Sequence, residues 1–144
     1  MEASARKRWL LAALLIGALY FLIGAGFSAL ARWDASIATH ETWNRLAFLV
    51  SGILFLIHLG HEYFRLLYSP RVTATHVAIA VAIGAFGLAL MANINDLSSP
   101  SGYRPRMLVA LLAWPLLTGV PAFLVALIVT AGLTVGRKRP VRTH

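Results

Sequence analysis

The chain has 144 residues, of which 59% are hydrophobic and only 12% are charged, and its formal net charge is +8. A water-soluble domain carries about 25% charged residues, so too few charges are present to cover the surface of a soluble globule. The chain has no cysteine, which excludes disulfides, thiolate metal sites and thiol catalysis.

The apolar residues fall in four runs, at about 9–31, 43–67, 75–92 and 107–135. Each run is long enough to cross a hydrocarbon layer of ~30 Å at ~1.5 Å per helical residue. The chain has no internal repeat and no low-complexity tract. It is therefore predicted to be an all-α membrane protein, a single four-helix transmembrane domain comprising residues 1–144.

The first run has two interpretations. Arg6-Lys7-Arg8 and Ala29-Leu30-Ala31 have the composition of the basic region and the cleavage site of a signal peptide. The apolar stretch between them, however, exceeds the ~7–15 residues typical of a signal peptide. This length favours an uncleaved membrane anchor.

The second run carries a polar stripe. His58, His61, Glu62 and Arg65 are spaced three and four residues apart, so on a helix they share one face. Because polar groups that point into lipid are costly, this face is predicted to contact other helices. Toward the start of the run the same face continues through four further residues, Phe55, Ser51, Phe48 and Asn44.

The third run begins close behind the second. Ser69-Pro70-Arg71 predicts a tight turn, so the two runs form an antiparallel hairpin that places His76 at about the height of His61. Imidazoles at matching height on neighbouring helices are the arrangement that haem b ligation requires, so His58, His61 and His76 are candidate haem ligands. With Glu62 the same residues are candidates for a metal or proton site.

A purely structural interpretation also fits these residues. Glu62 and Arg65 would pair near the helix end and extend to the head groups. His61 would lie in the interfacial layer with the tyrosines of an aromatic belt. The buried His58 would then bond to a hydroxyl such as that of Thr118.

Later features predict helix ends, kinks and packing surfaces. Asn93, Asn95 and Asp96 are predicted to end the third span at a long polar loop, and Pro115 and Pro121 are predicted to kink the fourth. Small residues on the first and third spans allow close helix approach, either within the chain or against partners: Gly17, Gly24, Gly26, Ser28, Gly84 and Gly87.

The basic residues that distinguish the two faces lie near the chain termini, because the connections between the runs hold no clear excess. The positive-inside rule then predicts that both termini are cytoplasmic, and the Ala-, Leu- and Arg-rich composition suits a bacterial inner membrane. The termini also supply the predicted contacts to anionic lipid head groups: Arg6, Lys7, Arg8, Arg137, Lys138 and Arg139.

We find no catalytic signature in the sequence. It predicts a small accessory or assembly subunit of a larger membrane complex, whose partners are the lipid bilayer and other membrane chains or copies of itself. The alternatives are a haem-b electron-transfer subunit and a small oligomeric transporter or channel that uses the polar stripe. Nucleic acid is not an expected partner, because the basic clusters adjoin apolar runs and are not interleaved with aromatic residues.

Overall fold

The computed structural model describes residues 3–33, 37–66, 68–98 and 107–137, with side chains from residue 7 in the first range, from residue 39 in the second and up to residue 136 in the last. It contains four helices, α1 (Ala3–Trp33), α2 (Ile37–Arg65), α3 (Pro70–Leu97) and α4 (Met107–Arg137). Each holds an apolar segment long enough to cross a membrane. This confirms the prediction of an all-helical protein with four long apolar helices, and it indicates an integral membrane protein.

The third helix is longer at both ends than the sequence predicted. It begins at Pro70 because proline is favoured at the first helical position and Ser69 caps the helix, its Oγ accepting from the backbone N–H of Val72 at 3.5 Å. It continues past Asn93 to Leu97. Asn93, Asn95 and Asp96 therefore lie near the end of the helix, as predicted, but inside it, and the Asn93 amide turns inward and donates to the backbone oxygens of Ala89 and Met107.

The helices run up and down, so that alternate helix ends meet. Phe27 of α1 lies beside Trp43 of α2 at one end of the bundle. At the other end α1 begins, α2 ends, α3 begins and α4 ends, and Trp9 of α1 stacks near His76 of α3. We call this second end the basic end, because its exposed charges are Lys7, Arg8, Arg65 and Arg71.

Helix α3 is the centre of the bundle and packs most extensively on α4 and α1. Its contact with α1 depends on glycines. A Cβ added at Gly84 would lie 2.5 Å from Cβ of Tyr20 and 3.0 Å from the backbone oxygen of Gly17. Close backbone approach at small residues is the usual means of packing helices in lipid. The glycines of α1 and α3 therefore serve packing between these two helices, with the exception of Gly26, where an added Cβ would meet nothing within 4 Å.

Helix α4 remains helical through both prolines. The Thr118 hydroxyl between them donates to the backbone oxygen of Trp114 at 2.9 Å. Lower on the same helix Thr130 makes the equivalent bond to Ala126 at 2.7 Å. These hydroxyls satisfy their hydrogen-bonding capacity along their own helix, as is usual for threonine in apolar surroundings.

Candidate functional site

The polar cluster near the basic end is centred on the carboxylate of Glu62, whose side chain is only 6% exposed. Its Oε2 lies 3.1 Å from Nδ1 of His76 on α3, within hydrogen-bonding distance. Its Oε1 lies 3.8 Å from Nε2 of His58, one turn earlier on α2. The carboxylate thus lies between two imidazoles, and it links α2 to α3 where these helices otherwise pack sparsely.

His58 is the most enclosed member of the cluster, with a side chain that is 3% exposed. Its Nδ1 is buried and has no hydrogen-bond partner among the described residues. The structural interpretation of the sequence assigned it to the Thr118 hydroxyl, and that assignment was wrong. Thr118 instead bonds to the backbone of its own helix.

His76 lies between aromatic rings. Its ring centroid is 4.8 Å from that of Trp9 on α1 and 5.2 Å from that of Tyr68, which meets it edge-on. His76 is therefore held between the Trp9 and Tyr68 rings and the Glu62 carboxylate.

The remaining members of the predicted stripe lie outside this enclosure. His61 and Arg65 are exposed, although they follow His58 and Glu62 at helical spacing. The expected pairing of Glu62 with Arg65 is not present, because the carboxylate points toward α3 and meets His76. Of these four polar residues only His58 and Glu62 face the interior, so the stripe is divided. His61 is left in an exposed position, which agrees with the interfacial alternative.

A second polar contact joins α2 to α4 beside the cluster. The hydroxyls of Tyr63 and Thr134 lie 3.2 Å apart, and Leu59 and Ala126 belong to one buried apolar cluster with Ala74 and Val77 of α3. At the basic end, therefore, α2, α3 and α4 are held together by both polar and apolar contacts.

No group of three or more His, Cys, Asp or Glu side chains could hold a metal ion in the part of the chain that the structure describes. His58 and His76 both face the Glu62 carboxylate. A groove also lies between α2 and α4, and no described histidine lines it. The geometry thus brings His58 and His76 together around a carboxylate and leaves His61 apart. Haem ligation by these histidines stays a prediction without further support.

The predicted head-group contacts are placed in part. Lys7 and Arg8 are exposed at the basic end. Lys138 and Arg139 lie outside the described residues, as do the side chains of Arg6 and Arg137.

Sequence reasoning missed two features. Gly132 and Gly136 are four residues apart on the exposed side of α4, and an added Cβ at either would meet nothing within 4 Å. Their Gly-x-x-x-Gly spacing could have been recognised in the sequence, because it marks helix association in membranes. The other feature is Tyr20, which is 8% exposed and has a buried hydroxyl without a hydrogen-bond partner among the described residues. No signal in the sequence distinguishes it.

Comparisons with known proteins found no matching protein-family model, no matching curated protein and no matching solved structure.

Proposed function

We propose that the protein is a non-catalytic accessory or assembly subunit of a larger membrane complex, inserted in a bacterial inner membrane with both termini in the cytoplasm. Its four helices comprise 31, 29, 28 and 31 residues of the 144. Any association with other chains therefore takes place largely through helix faces within the membrane.

The observation that carries the proposal is a pair of glycines on α4 that contact no other helix of this chain. Apart from Gly26, the glycines of α1 and α3 pack closely against the other helix, whereas nothing lies within 4 Å of a Cβ placed at Gly132 or Gly136. Ile128 extends this face by one further turn and is 71% exposed. Small residues four apart permit close approach by another helix, so this face suits a transmembrane helix of a partner chain.

The polar cluster supports a structural role for the only buried carboxylate on α2 among the described residues. Both oxygens of Glu62 face imidazoles of the same chain, which offsets the cost of burying its charge. Such a cluster joins helices without requiring a substrate. The transporter and haem alternatives depend on these same side chains and gain no independent support from the geometry.

The distribution of charge supports the proposed orientation. The described charges at the basic end are positive apart from the buried Glu62. At the opposite end the basic residues Arg32 and Arg45 are balanced by two acids, Glu41, which pairs with Arg45 at 2.6 Å, and Asp96. An excess of basic residues marks the cytoplasmic side of a membrane protein.

The proposal can be tested by photo-crosslinking in intact membranes. A photoreactive amino acid at Ile128 should give one discrete adduct with a different membrane chain, and Gly132→Leu should abolish it by blocking close approach. The same amino acid at Leu15 of α1, which is equally exposed at 71%, is the control and should give no discrete adduct.

Two outcomes would contradict the proposal. An adduct with twice the mass of this chain would identify a homo-oligomer instead of an accessory subunit. Absence of any discrete adduct from Ile128 would remove the α4 face as a partner surface. Gly26→Leu provides a matched control for the substitution itself, because Gly26 also has no neighbour within 4 Å of an added Cβ.

A further inference from the structure

Four positively charged side chains lie at the basic end without an acid to pair with. Lys7 and Arg8 lie near the start of α1, Arg65 ends α2, and Arg71 is in the first turn of α3. All four are exposed, and none forms an ion pair within the described ranges. The only acid that the structure describes at this end is Glu62, which is buried and faces two histidines. The basic end therefore presents positive charge that no described side chain neutralises.

The three helix ends that carry these charges converge on His76. Arg8 immediately precedes Trp9, whose ring centroid lies 4.8 Å from that of His76. Arg65 follows Glu62 by three residues, and Oε2 of Glu62 lies 3.1 Å from Nδ1 of His76. His76 itself lies in the second turn of α3, just beyond the charge in the first turn. Cations that are far apart in the sequence thus come from three helices to one region of the surface.

The side chains around these cations are those of a membrane–water interface. Trp9 is half-buried and Tyr68 is exposed, and both residue types are enriched at the level of the lipid head groups. Exposed apolar residues adjoin the charges, because Arg65 lies between the exposed Phe64 and Leu66. A molecule bound here would therefore contact both cations and an apolar surface, as a lipid does and a free phosphate ion does not.

The combination of charge and apolar surface determines the chemistry of the ligand. A guanidinium group binds phosphate oxygens through two parallel hydrogen bonds. Basic pockets between membrane helices bind head groups that carry more than one phosphate, such as that of cardiolipin. Two phosphates on one molecule offset more of the charge of four cations than one phosphate does, and they can contact more than one helix.

We propose that the basic end binds one phospholipid with two phosphates, of the cardiolipin type, where α1, α2 and α3 meet. Arg8, Arg65 and Arg71 hold the phosphates, and the acyl chains lie along the exposed apolar residues of α1 and α2. The site uses neither Gly132 nor Gly136 of α4. It therefore goes beyond the accessory role and stands or fails independently.

Native mass spectrometry tests the proposal, because it counts the lipids bound to each molecule. The full chain in mild detergent would be freed of lipid and titrated with cardiolipin and, at equal phosphate, with phosphatidylglycerol. One cardiolipin should remain bound under collisional activation that removes phosphatidylglycerol. Each of Arg8→Gln, Arg65→Gln and Arg71→Gln should weaken cardiolipin binding about fivefold, equivalent to about 1 kcal/mol for each charge.

Arg32→Gln is the matched control. Arg32 is exposed in the last turn of α1, at the opposite end of the bundle, so this variant lowers the net charge equally and should leave cardiolipin binding unchanged. Without added lipid, the three Gln variants at the basic end should melt at the wild-type temperature, because substitutions at exposed positions have small effects on stability. Loss of binding is then separate from loss of folding.

Two further comparisons separate this proposal from the accessory role. Gly132→Leu should leave cardiolipin binding unchanged. The three Gln variants should leave the Ile128 crosslink unchanged.

Absence of a cardiolipin complex would overturn the proposal, as would any of three other results. Equal binding of cardiolipin and phosphatidylglycerol in several copies would show a general attraction of anionic lipid to a basic surface. Equal weakening by Arg32→Gln would show that net charge, and not this site, governs binding. Displacement of cardiolipin by an equal concentration of inorganic pyrophosphate would identify a site for soluble phosphate to which acyl chains contribute nothing.

Discussion

The hydroxyl of Tyr63 on α2 lies 3.2 Å from the hydroxyl of Thr134 on α4, two helices that separate on either side of a groove farther along the bundle. The Thr134 hydroxyl also donates a hydrogen bond to the backbone oxygen of Thr130 at 2.8 Å. Its oxygen can therefore accept a hydrogen bond from the Tyr63 hydroxyl at the same time. The contact therefore fixes the closed end of the groove.

Removing this contact should destabilise the bundle modestly. A double-mutant cycle of Tyr63→Phe and Thr134→Val should give a coupling energy of about 0.5–1.5 kcal/mol, the range for hydrogen bonds between membrane helices. The measurement is reversible unfolding in mixed micelles. Tyr68→Phe is the control, because Tyr68 is exposed. A coupling energy indistinguishable from zero would show that the two hydroxyls do not interact.

Truncation of Glu62 should be more costly. Glu62→Ala leaves His58 and His76 without their shared carboxylate and should lower the free energy of unfolding by about 1–3 kcal/mol. Glu62→Gln keeps an acceptor for His76 and should cost less. His61→Ala is the matched control at an exposed position and should change stability by less than about 0.5 kcal/mol. Equal losses in Glu62→Ala and His61→Ala would contradict this account.

The packing of α1 on α3 should not tolerate a methyl group at its closest point. Gly84→Ala places Cβ 2.5 Å from Cβ of Tyr20, so the helices must move apart at a cost of about 1–3 kcal/mol. Gly26→Ala, where the new methyl meets nothing within 4 Å, should leave the melting temperature in detergent unchanged. Similar melting temperatures for the two variants would refute the close approach.

The proposed orientation can be tested with single cysteines, because the chain contains none. Ser98→Cys, after the end of α3, should react with a membrane-impermeant maleimide in intact cells. Leu66→Cys, just after α2 at the basic end, should react only after permeabilisation. Both residues are exposed, so a difference in labelling reports their side of the membrane. The reverse pattern would place the termini outside.

The sequence predicted the number of helices because apolar runs of this length indicate membrane-spanning helices. It placed the helix ends less well, since Ser69 and Asn93 are polar residues that serve a helix by capping and by inward hydrogen bonds. Spacing alone put His58, His61 and Glu62 on one face. It could not reveal which of them face inward, because that depends on how α2 is rotated against α3.

The groove was beyond prediction from the sequence for a related reason. The spacing of the second span places Phe48 and Ser51 on one stripe, and nothing in the first span singles out Tyr20. These residues come together at the groove because α2 and α4 lie apart there. This separation cannot be predicted from the sequence of any one helix.

The small residues along α3 have a consequence for the evolution of the chain. The buried side of this helix is formed mainly by alanine and glycine, including Ala74, Ala80, Gly84 and Ala89. Larger substitutions there would displace a neighbouring helix, whereas the lipid-facing positions of α1 and α4 accept most apolar residues. Related chains should therefore diverge over most of their length while keeping this spacing of small residues, so the third helix is the segment with which distant relatives should be sought.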